Sequence, residues 1–203
     1  MKTRKLSSTL PHMLLSLGLV SVISAALLGG MYLITKEPIA RIERESRIEA
    51  IRKVAPDFDN DPQAEAMKIP TASGDTCTLY PAMLGGRFNG AAVSCRSMDG
   101  FAGEITVMAG FNADGSVRDY EVLSHAETPG LGSKMQLWFR DPKGARSVIG
   151  KNPATTSFYV TKDKGAGGQI DGITAATISS RAFLGALREA FSAYTEYKDS
   201  KGF

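Results

Sequence analysis

A long stretch without charge dominates the hydrophobic pattern near the start of the chain. It covers the 22 residues from Met13 to Ile34. An α-helix rises ~1.5 Å per residue, so this stretch can cross a hydrocarbon layer of ~30 Å. A cleaved signal peptide is the alternative, with its cleavage site at Ser24-Ala25-Ala26. The apolar core of a signal peptide ends after about 7 to 15 residues, and this one continues, so the pattern favours a transmembrane helix over 13–34.

Beyond Lys36 the apolar residues recur at helical spacing up to Val54, and Pro56 then ends the pattern. This spacing predicts a surface helix that leads out of the membrane. The next residues, up to Ala66, are polar and punctuated by proline, as is typical of a connection. Residues 35–66 are therefore a predicted juxtamembrane helix and linker, and residues 67–203 form the predicted domain.

The pattern changes to strand period in the middle of that domain. From Gly103 to Phe111 every second residue is apolar, which places Ile105, Val107, Ala109 and Phe111 on one face. The residues 112–115 predict a turn, and Val117 to Leu123 predict the returning strand of a hairpin. The far end of this hairpin leads into the loop from His125 to Lys134.

The remaining elements are shorter, apart from the last. Met135 to Phe139 predict a turn of helix in which Trp138 belongs to the core, and Ser157 to Thr161 predict a strand. A final helix is expected from about Ala175 to Tyr197, with an apolar stripe that packs on the sheet: Phe183, Leu187, Ala190, Phe191 and Tyr194. Hairpins in place of a βαβ alternation indicate an α+β domain with an antiparallel sheet and flanking helices.

Charge separates the N-terminal tail, residues 1–12, from the domain. Lys2, Arg4 and Lys5 account for the net charge of +3, and beyond residue 35 there are 21 basic and 21 acidic residues. A neutral domain argues against nucleic acid as a partner. Because a long C-terminal domain is translocated regardless of its charges, we expect the tail in the cytoplasm and the domain outside it.

Cys77 and Cys95 are the two cysteines, 18 positions apart. In an exported domain such a pair is a candidate disulfide, and two unpaired thiols are the alternative. Without a short C-x-x-C spacing, and with His12 and His125 far apart, the chain has no recognisable metal ligand set.

The start of the final helix has the composition of a phosphate site. Thr174 is the expected N-cap, and the small residues Ala175 and Ala176 leave the first backbone N–H groups open to an anion. Thr177 then lies in the first turn, where the helix dipole favours a phosphate beside its hydroxyl. An ordinary capped helix is the alternative.

The loop after the hairpin, His125-Ala126-Glu127-Thr128-Pro129-Gly130-Leu131-Gly132-Ser133-Lys134, can approach a flat ligand closely. Pro129 fixes one backbone angle, and Gly130 and Gly132 permit conformations that a side chain forbids. A surface turn is the alternative.

Together the two segments resemble the motifs of the RnfG and NqrC families of membrane-bound electron-transfer subunits. In the pattern Asp-x-x-Ser/Thr-Gly-Ala-Thr, the last threonine carries FMN through a phosphoester made by a separate flavin transferase, and Thr177 matches it. Ala175 stands where the family usually has glycine. The loop His-x-Glu-Thr-Pro-Gly-Leu-Gly lies against the flavin ring, with Glu127 and Thr128 expected closest to it. The resemblance implies these cofactor-binding residues: Asp171, Thr174, Ala175, Ala176, Thr177, Glu127, Thr128, Gly130, Leu131, Gly132 and Lys134.

By that resemblance, the chain is an electron-transfer subunit in a bacterial inner membrane, anchored in lipid and bound to the other subunits of an Rnf-type translocase. Such complexes couple ferredoxin and NAD redox chemistry to movement of Na⁺ or H⁺. Tethered FMN needs no catalytic side chains, and a hydrolase set of His125, Asp171 and Ser179 lacks a Gly-x-Ser-x-Gly elbow. The alternatives are an NqrC-type subunit of a Na⁺-translocating NADH:quinone reductase, a complex that reduces a redox-sensing regulator, and a flavin-free structural module of the same fold.

Overall fold

The computed structural model describes residues 9–71 and 74–203. The basic residues Lys2, Arg4 and Lys5 of the expected cytoplasmic tail lie outside this range. The chain divides into two compact units, the first ending at Glu45 and the second comprising Ser46–Phe203.

Helix α1 runs without interruption over Leu10–Val54. It begins three residues before the expected transmembrane span and joins that span to the expected juxtamembrane helix. Pro38 lies inside α1, where it lacks the N–H that an α-helix would use. An 18-residue window of α1 has a mean hydropathy of 2.1, and none of its residues is buried. The helix is therefore long and apolar enough to cross a membrane.

A five-stranded sheet forms the centre of the second unit. The strands pair in chain order, and every neighbouring pair is antiparallel. The strands are β1 (Met67–Pro70), β2 (Thr76–Leu84), β3 (Arg87–Gly100), β4 (Gly103–Asn112) and β5 (Val117–His125). Short helical turns at Gly132–Lys134 and Lys164–Ala166, helix α2 (Met135–Trp138) and helix α3 (Thr177–Lys201) complete the unit. The expected α+β class with an antiparallel sheet is confirmed.

The main core lies between one face of the sheet and α3. The predicted inward face of β4, with Ile105, Val107, Ala109 and Phe111, is fully buried there, as is most of the predicted stripe of α3. Phe183 stacks on Phe139 with ring centroids 4.5 Å apart. This packing fixes the first turn of α3 relative to the sheet.

A second, smaller core covers the opposite face of the sheet. Ala50, Ile51 and Val54 from the end of α1 pack there against residues of β2, β3 and β4. The contact needs a glycine, because a Cβ on Gly110 would lie 1.8 Å from the backbone oxygen of Val54. The last turns of α1 thus belong to the second unit, which begins at Ser46, whereas the domain was expected to begin at residue 67.

Side chains cover the outer edge of β5. The backbone N–H of Val122 donates to the side-chain oxygen of Gln136 at 2.9 Å. The guanidinium of Arg140 donates to the backbone oxygen of Tyr120 and, at 2.8 Å, to Asp119. Two backbone groups that would otherwise face outward are therefore satisfied.

The strand predicted over Ser157–Thr161 is wrong. This segment contributes only an isolated parallel bridge between Val160 and Ile170. Its partner approaches closely at Gly168, where a Cβ would lie 1.9 Å from the backbone oxygen of Val160. The two segments are joined by three backbone hydrogen bonds, from Gln169 to Ser157, from Ile170 to Tyr159 and from Thr161 to Ile170, but they do not extend into a strand ladder.

Cys77 on β2 and Cys95 on β3 are joined by a disulfide bond, with their Cα atoms 4.5 Å apart. Both are buried in the main core beneath α3. The bond therefore links neighbouring strands inside the packed part of the domain.

Candidate functional site

The backbone before α3 makes a tight turn that differs from the expected cap. The helix begins at Thr177, its N-cap is Ala176, and no side chain bonds to that cap. Thr174 is therefore not the N-cap. Ala175 intervenes with a left-handed φ of 62°, which turns the chain away from helical continuation before Ala176.

Ser180, buried in the first turn of α3, stabilises this turn from inside. Its hydroxyl accepts a hydrogen bond from the N–H of Ile173 at 2.8 Å and donates one to the backbone oxygen of Ala176 at 2.9 Å. The two bonds join both ends of the turn to the helix. They place Thr177 at the rim of the core, half-buried.

Several polar groups at the start of α3 form no hydrogen bond within the described protein. Within the described residues, the hydroxyl of Thr177 has no hydrogen-bond partner, and neither do the backbone N–H groups of Thr177, Ile178 and Ser179. Free N–H groups at a helix start attract an anion. Ser180 thus holds the turn in place, and the hydroxyl of Thr177 takes no part in these hydrogen bonds.

An apolar hollow opens beside Thr177, with a volume of about 330 Å³. It lies between the loop after β5, the tip of the β3–β4 hairpin and the start of α3. Seven of the expected cofactor residues line it: Glu127, Thr128, Leu131, Gly132, Ala175, Ala176 and Thr177. Phe101, Ile178 and Ser179 complete its wall. Three segments that are distant in sequence are therefore brought to one cavity.

Glu127 connects these three segments. It is buried, and its carboxylate accepts a hydrogen bond from the Ser179 hydroxyl at 2.5 Å and another from the Ala102 N–H at 3.1 Å. Gly132 lies against the side chains of Glu127 and Ser179, since a Cβ at Gly132 would be 2.6 Å from an oxygen of each. The carboxylate braces the hollow and at the same time lines it.

Ser179 therefore bonds to Glu127 and does not form a hydrolase set with His125. The ring nitrogen Nδ1 of His125 accepts instead from the backbone N–H of Glu127 at 3.2 Å. In the part of the chain that the structure describes, no three histidine, cysteine or acidic side chains form a group that could hold a metal ion.

Thr177 also lines a second, polar hollow of about 300 Å³. Asp171 and Thr174 of the expected motif lie here. The carboxylate of Asp171 accepts hydrogen bonds from the Ala145 N–H at 3.0 Å and from the Thr161 hydroxyl at 3.2 Å. Asp171 thus connects two loops and shapes the wall behind Thr177.

Gly130 and Lys134 are not brought to either hollow. They line a shallow depression next to α2, with Leu137 and Trp138. Trp138 is half-buried against the main core, and its indole N–H donates to the backbone oxygen of Asp171 at 2.8 Å. It contributes to the polar hollow and does not line the apolar one.

Sequence reasoning missed Phe101, Ile178 and Ser180, and it considered Ser179 only as a hydrolase nucleophile. It also missed Arg146, Thr161 and Lys162 of the polar hollow. Phe101 sits at a hairpin tip, and an exposed aromatic residue at a turn was its signal. Ile178, 48% exposed, interrupts the polar face of α3. Ser179 and Ser180 are buried polar residues in an apolar stripe, a pattern that indicates local hydrogen bonds.

Comparison with known proteins shows the family of the chain. Residues 100–192 match the FMN-binding domain family. Over 201 residues the chain is 30% identical to the G subunit of the ion-translocating oxidoreductase complex of Aliivibrio fischeri strain MJ11, with 95% of this chain and 93% of that protein covered. The corresponding protein of Stutzerimonas stutzeri is 35% identical over 178 residues, covering 86% and 76%. That of Cereibacter sphaeroides strain ATCC 17023 is 32% identical over 190 residues, covering 91% and 84%.

The family match over residues 100–192 shows that the second unit contains an FMN-binding domain. More narrowly, the chain belongs to the family of G subunits of ion-translocating oxidoreductase complexes. The resemblance inferred from the two motifs is confirmed.

The residues present fit FMN. The apolar hollow has the size of a small-molecule site and walls suited to a flat aromatic ring. The free hydroxyl and N–H groups at the start of α3 suit a phosphate. Ring and phosphate would meet at Thr177, which borders both hollows.

Proposed function

We propose that this chain is a membrane-anchored subunit that relays electrons through FMN attached to Thr177. The attachment is a phosphoester between the threonine hydroxyl and the FMN phosphate, made by a flavin transferase. The observation that carries the proposal is the place of Thr177, which has an unpartnered hydroxyl, borders both hollows and lies at a helix start with free N–H groups.

Different residues would contact the flavin ring and position its attachment point. Leu131, Ile178 and Phe101 offer apolar contact to the ring, while Ser180 fixes the turn that presents Thr177. Bound FMN supplies one- and two-electron exchange. The protein needs no acid or base for that exchange, so the bonding of Ser179 to Glu127 outside any triad is consistent with the role.

Glu127 adds an electrostatic effect. Its carboxylate lines the apolar hollow, and among the described residues no lysine or arginine lines that hollow with it. A buried negative charge repels further negative charge nearby, the more so where the dielectric is low. Glu127 therefore disfavours anionic reduced flavin and lowers the reduction potential, besides bracing the cavity.

Helix α1 acts as a single-pass anchor, and the flavin domain lies on the extracytoplasmic side of the bacterial inner membrane. The partners are the other subunits of an Rnf-type complex, which links ferredoxin and NAD chemistry to Na⁺ or H⁺ translocation. An NqrC-type subunit would use the same site with different partners. Membership of the G-subunit family supports the first of these assignments.

The flavin-free alternative depends on Ala175. This alanine adopts the left-handed conformation that glycine takes without strain. The turn in front of Thr177 is therefore formed with alanine in place, which favours a flavin-bearing role.

Denaturing gel electrophoresis with flavin fluorescence tests the proposal. The full chain is produced in cells that contain a flavin transferase, as wild type and as Thr177→Ala and Thr195→Ala. Denaturation removes bound flavin that is not covalent. We expect fluorescent bands for wild type and for Thr195→Ala, because Thr195 lies on the same helix and lines neither hollow, and a dark band for Thr177→Ala.

Two results would contradict the proposal. A dark wild-type band beside a fluorescent flavoprotein from the same cells would mean that the site is not flavinylated. Equal fluorescence of wild type and Thr177→Ala would place the covalent link elsewhere. Unfolding midpoints of all three proteins control for loss of folding.

A further inference from the structure

The side of Thr177 that faces away from the apolar hollow carries positive charge. Arg146 and Lys162 line the polar hollow there, together with the hydroxyls of Thr161 and Thr174. On the apolar side, the charged lining residue is the carboxylate of Glu127. A phosphate linked to Thr177 thus has two cations and the hydrogen-bonded carboxylate of Asp171 on one side of its attachment point, and the carboxylate of Glu127 on the other.

Arg146 is held in one orientation by two contacts, but its guanidinium has further N–H groups that can donate hydrogen bonds. Its guanidinium lies over the ring of Trp138, 4.1 Å from the centroid, and one of its nitrogens donates to Asp141 at 2.8 Å. The N–H of Lys143, and after it Arg146, hold the pKa of Asp141 below its ordinary value. Within the described residues, the other guanidinium nitrogens of Arg146 have no partner.

Lys162 is exposed, and in the described ranges its ammonium group has neither an ion pair nor a hydrogen bond. The acid inside the hollow, Asp171, already accepts two hydrogen bonds from Ala145 and Thr161. Among the charged side chains that line the polar hollow in the described ranges, Lys162 is therefore the one without a hydrogen bond or ion pair to the protein.

From this arrangement we infer that the polar hollow is the phosphate subsite, with Arg146 and Lys162 neutralising the phosphodiester of the Thr177-linked flavin. The ring then occupies the apolar hollow on the other side of Thr177. This inference rests on the proposed function and adds the residues that orient the linkage.

The first test is ³¹P NMR of the flavinylated full chain in detergent. Lys162→Gln and Arg146→Gln are compared with Lys164→Gln, a matched control that is exposed on the same loop and lines neither hollow. We expect the phosphodiester resonance to move in the first two variants and to stay at the wild-type position in the control. An unmoved resonance in all three variants would overturn the inference and leave the flavin linkage intact.

The second test compares FMN with riboflavin, which lacks the phosphate, in equilibrium dialysis against Thr177→Ala protein. We expect FMN to bind more tightly, and Lys162→Gln to weaken FMN binding by about three- to fivefold, the effect of one surface ion pair. Riboflavin binding should not change, and the preference for FMN should fall as salt rises. Equal binding of both flavins would contradict the subsite. A dark wild-type band in the fluorescence gel would instead contradict the proposed function itself.

Discussion

Ala175 is the one non-glycine residue with a positive φ in the described ranges. A left-handed conformation costs an L-residue roughly 1–2 kcal/mol. The neighbouring hydrogen bonds of Ser180 offset this cost, because they close the turn at both ends. Ala175, two positions before Thr177, is thus held in a conformation that an isolated alanine rarely adopts.

Replacing Ala175 by glycine should stabilise the protein. Relief of the backbone strain exceeds the entropy that glycine adds to the unfolded chain, so we expect a gain of about 0.5–1 kcal/mol. Urea unfolding of the full chain in detergent measures it, with fluorescence of the single tryptophan, Trp138, as the signal. Ala176→Gly is the control, since Ala176 has a φ of −134° and gains nothing from glycine. Equal losses in both variants would contradict the strain argument.

Sequence could identify the residues of the site more readily than their conformations. The two motifs contain Glu127, Leu131 and Thr177, which line one hollow. The cap was assigned to Thr174 because threonine is a common N-cap, whereas the true cap follows the left-handed Ala175. A left-handed alanine cannot be inferred from residue type, since its energy is offset by a serine that lies later in the chain.

Strands were predictable from the sequence where apolar and polar residues alternate along them. Strands β4 and β5 and the turn between them lie where the pattern placed them. Strands β1 to β3 had no such signal. The middle of β3 is buried on both faces, so its small residues do not alternate. Pro81 lies inside β2, although proline is unfavourable in a strand. The side chain of Asn60 donates there to the backbone oxygen of Pro81 and accepts from the N–H of Met83, both at 3.0 Å.

Helix α3 is attached to the β4–β5 turn by Tyr194. Its hydroxyl donates to the backbone oxygen of Asn112 at 2.8 Å, and its side chain is buried. Burial, and to a lesser degree the charge of Asp114, raises the pKa of Tyr194 to about 12 from an ordinary value of 10.0. The far end of α3 is therefore attached to the sheet through a phenol that stays neutral at ordinary pH.

This pKa predicts a loss of stability in alkali. Between pH 10 and 12 the unfolded chain releases the Tyr194 proton and the folded chain retains it, so the free energy of unfolding falls as pH rises. Between these two pKa values, Tyr194 lowers the free energy of unfolding by about 1.4 kcal/mol for each pH unit. Tyr194→Phe should lose about 1 kcal/mol at pH 8 and show a flatter decline above pH 10.

Urea unfolding from pH 8 to 12 measures both slopes. Tyr159→Phe is the matched control, because that tyrosine is 37% exposed and its ring packs under the guanidinium of Arg188, 3.8 Å from the centroid. Parallel curves for wild type and Tyr194→Phe would show that Tyr194 does not ionise differently in the two states.

At the scale of the whole molecule, the disulfide bears on the compartment of the domain. Disulfides persist outside the cytoplasm and are rare within it. In intact cells we expect Cys77 and Cys95 to be oxidised, so denatured protein takes up no maleimide–polyethylene glycol tag before reduction and two tags after it. Cys77→Ser should take up one tag without reduction. Two tags on unreduced wild-type protein would place the domain in a reducing compartment.

The covered edge of β5 limits how this domain can join a larger assembly. Arg140 and Gln136 occupy the backbone positions that an added strand from another chain would need. At the other end of the sheet, β1 has four residues and finishes at Pro70, which has no N–H to donate. Intermolecular sheet extension is thus disfavoured at both ends. Recognition by neighbouring subunits then depends on side-chain surfaces, such as the exposed Phe101 and Leu131 at the mouth of the apolar hollow.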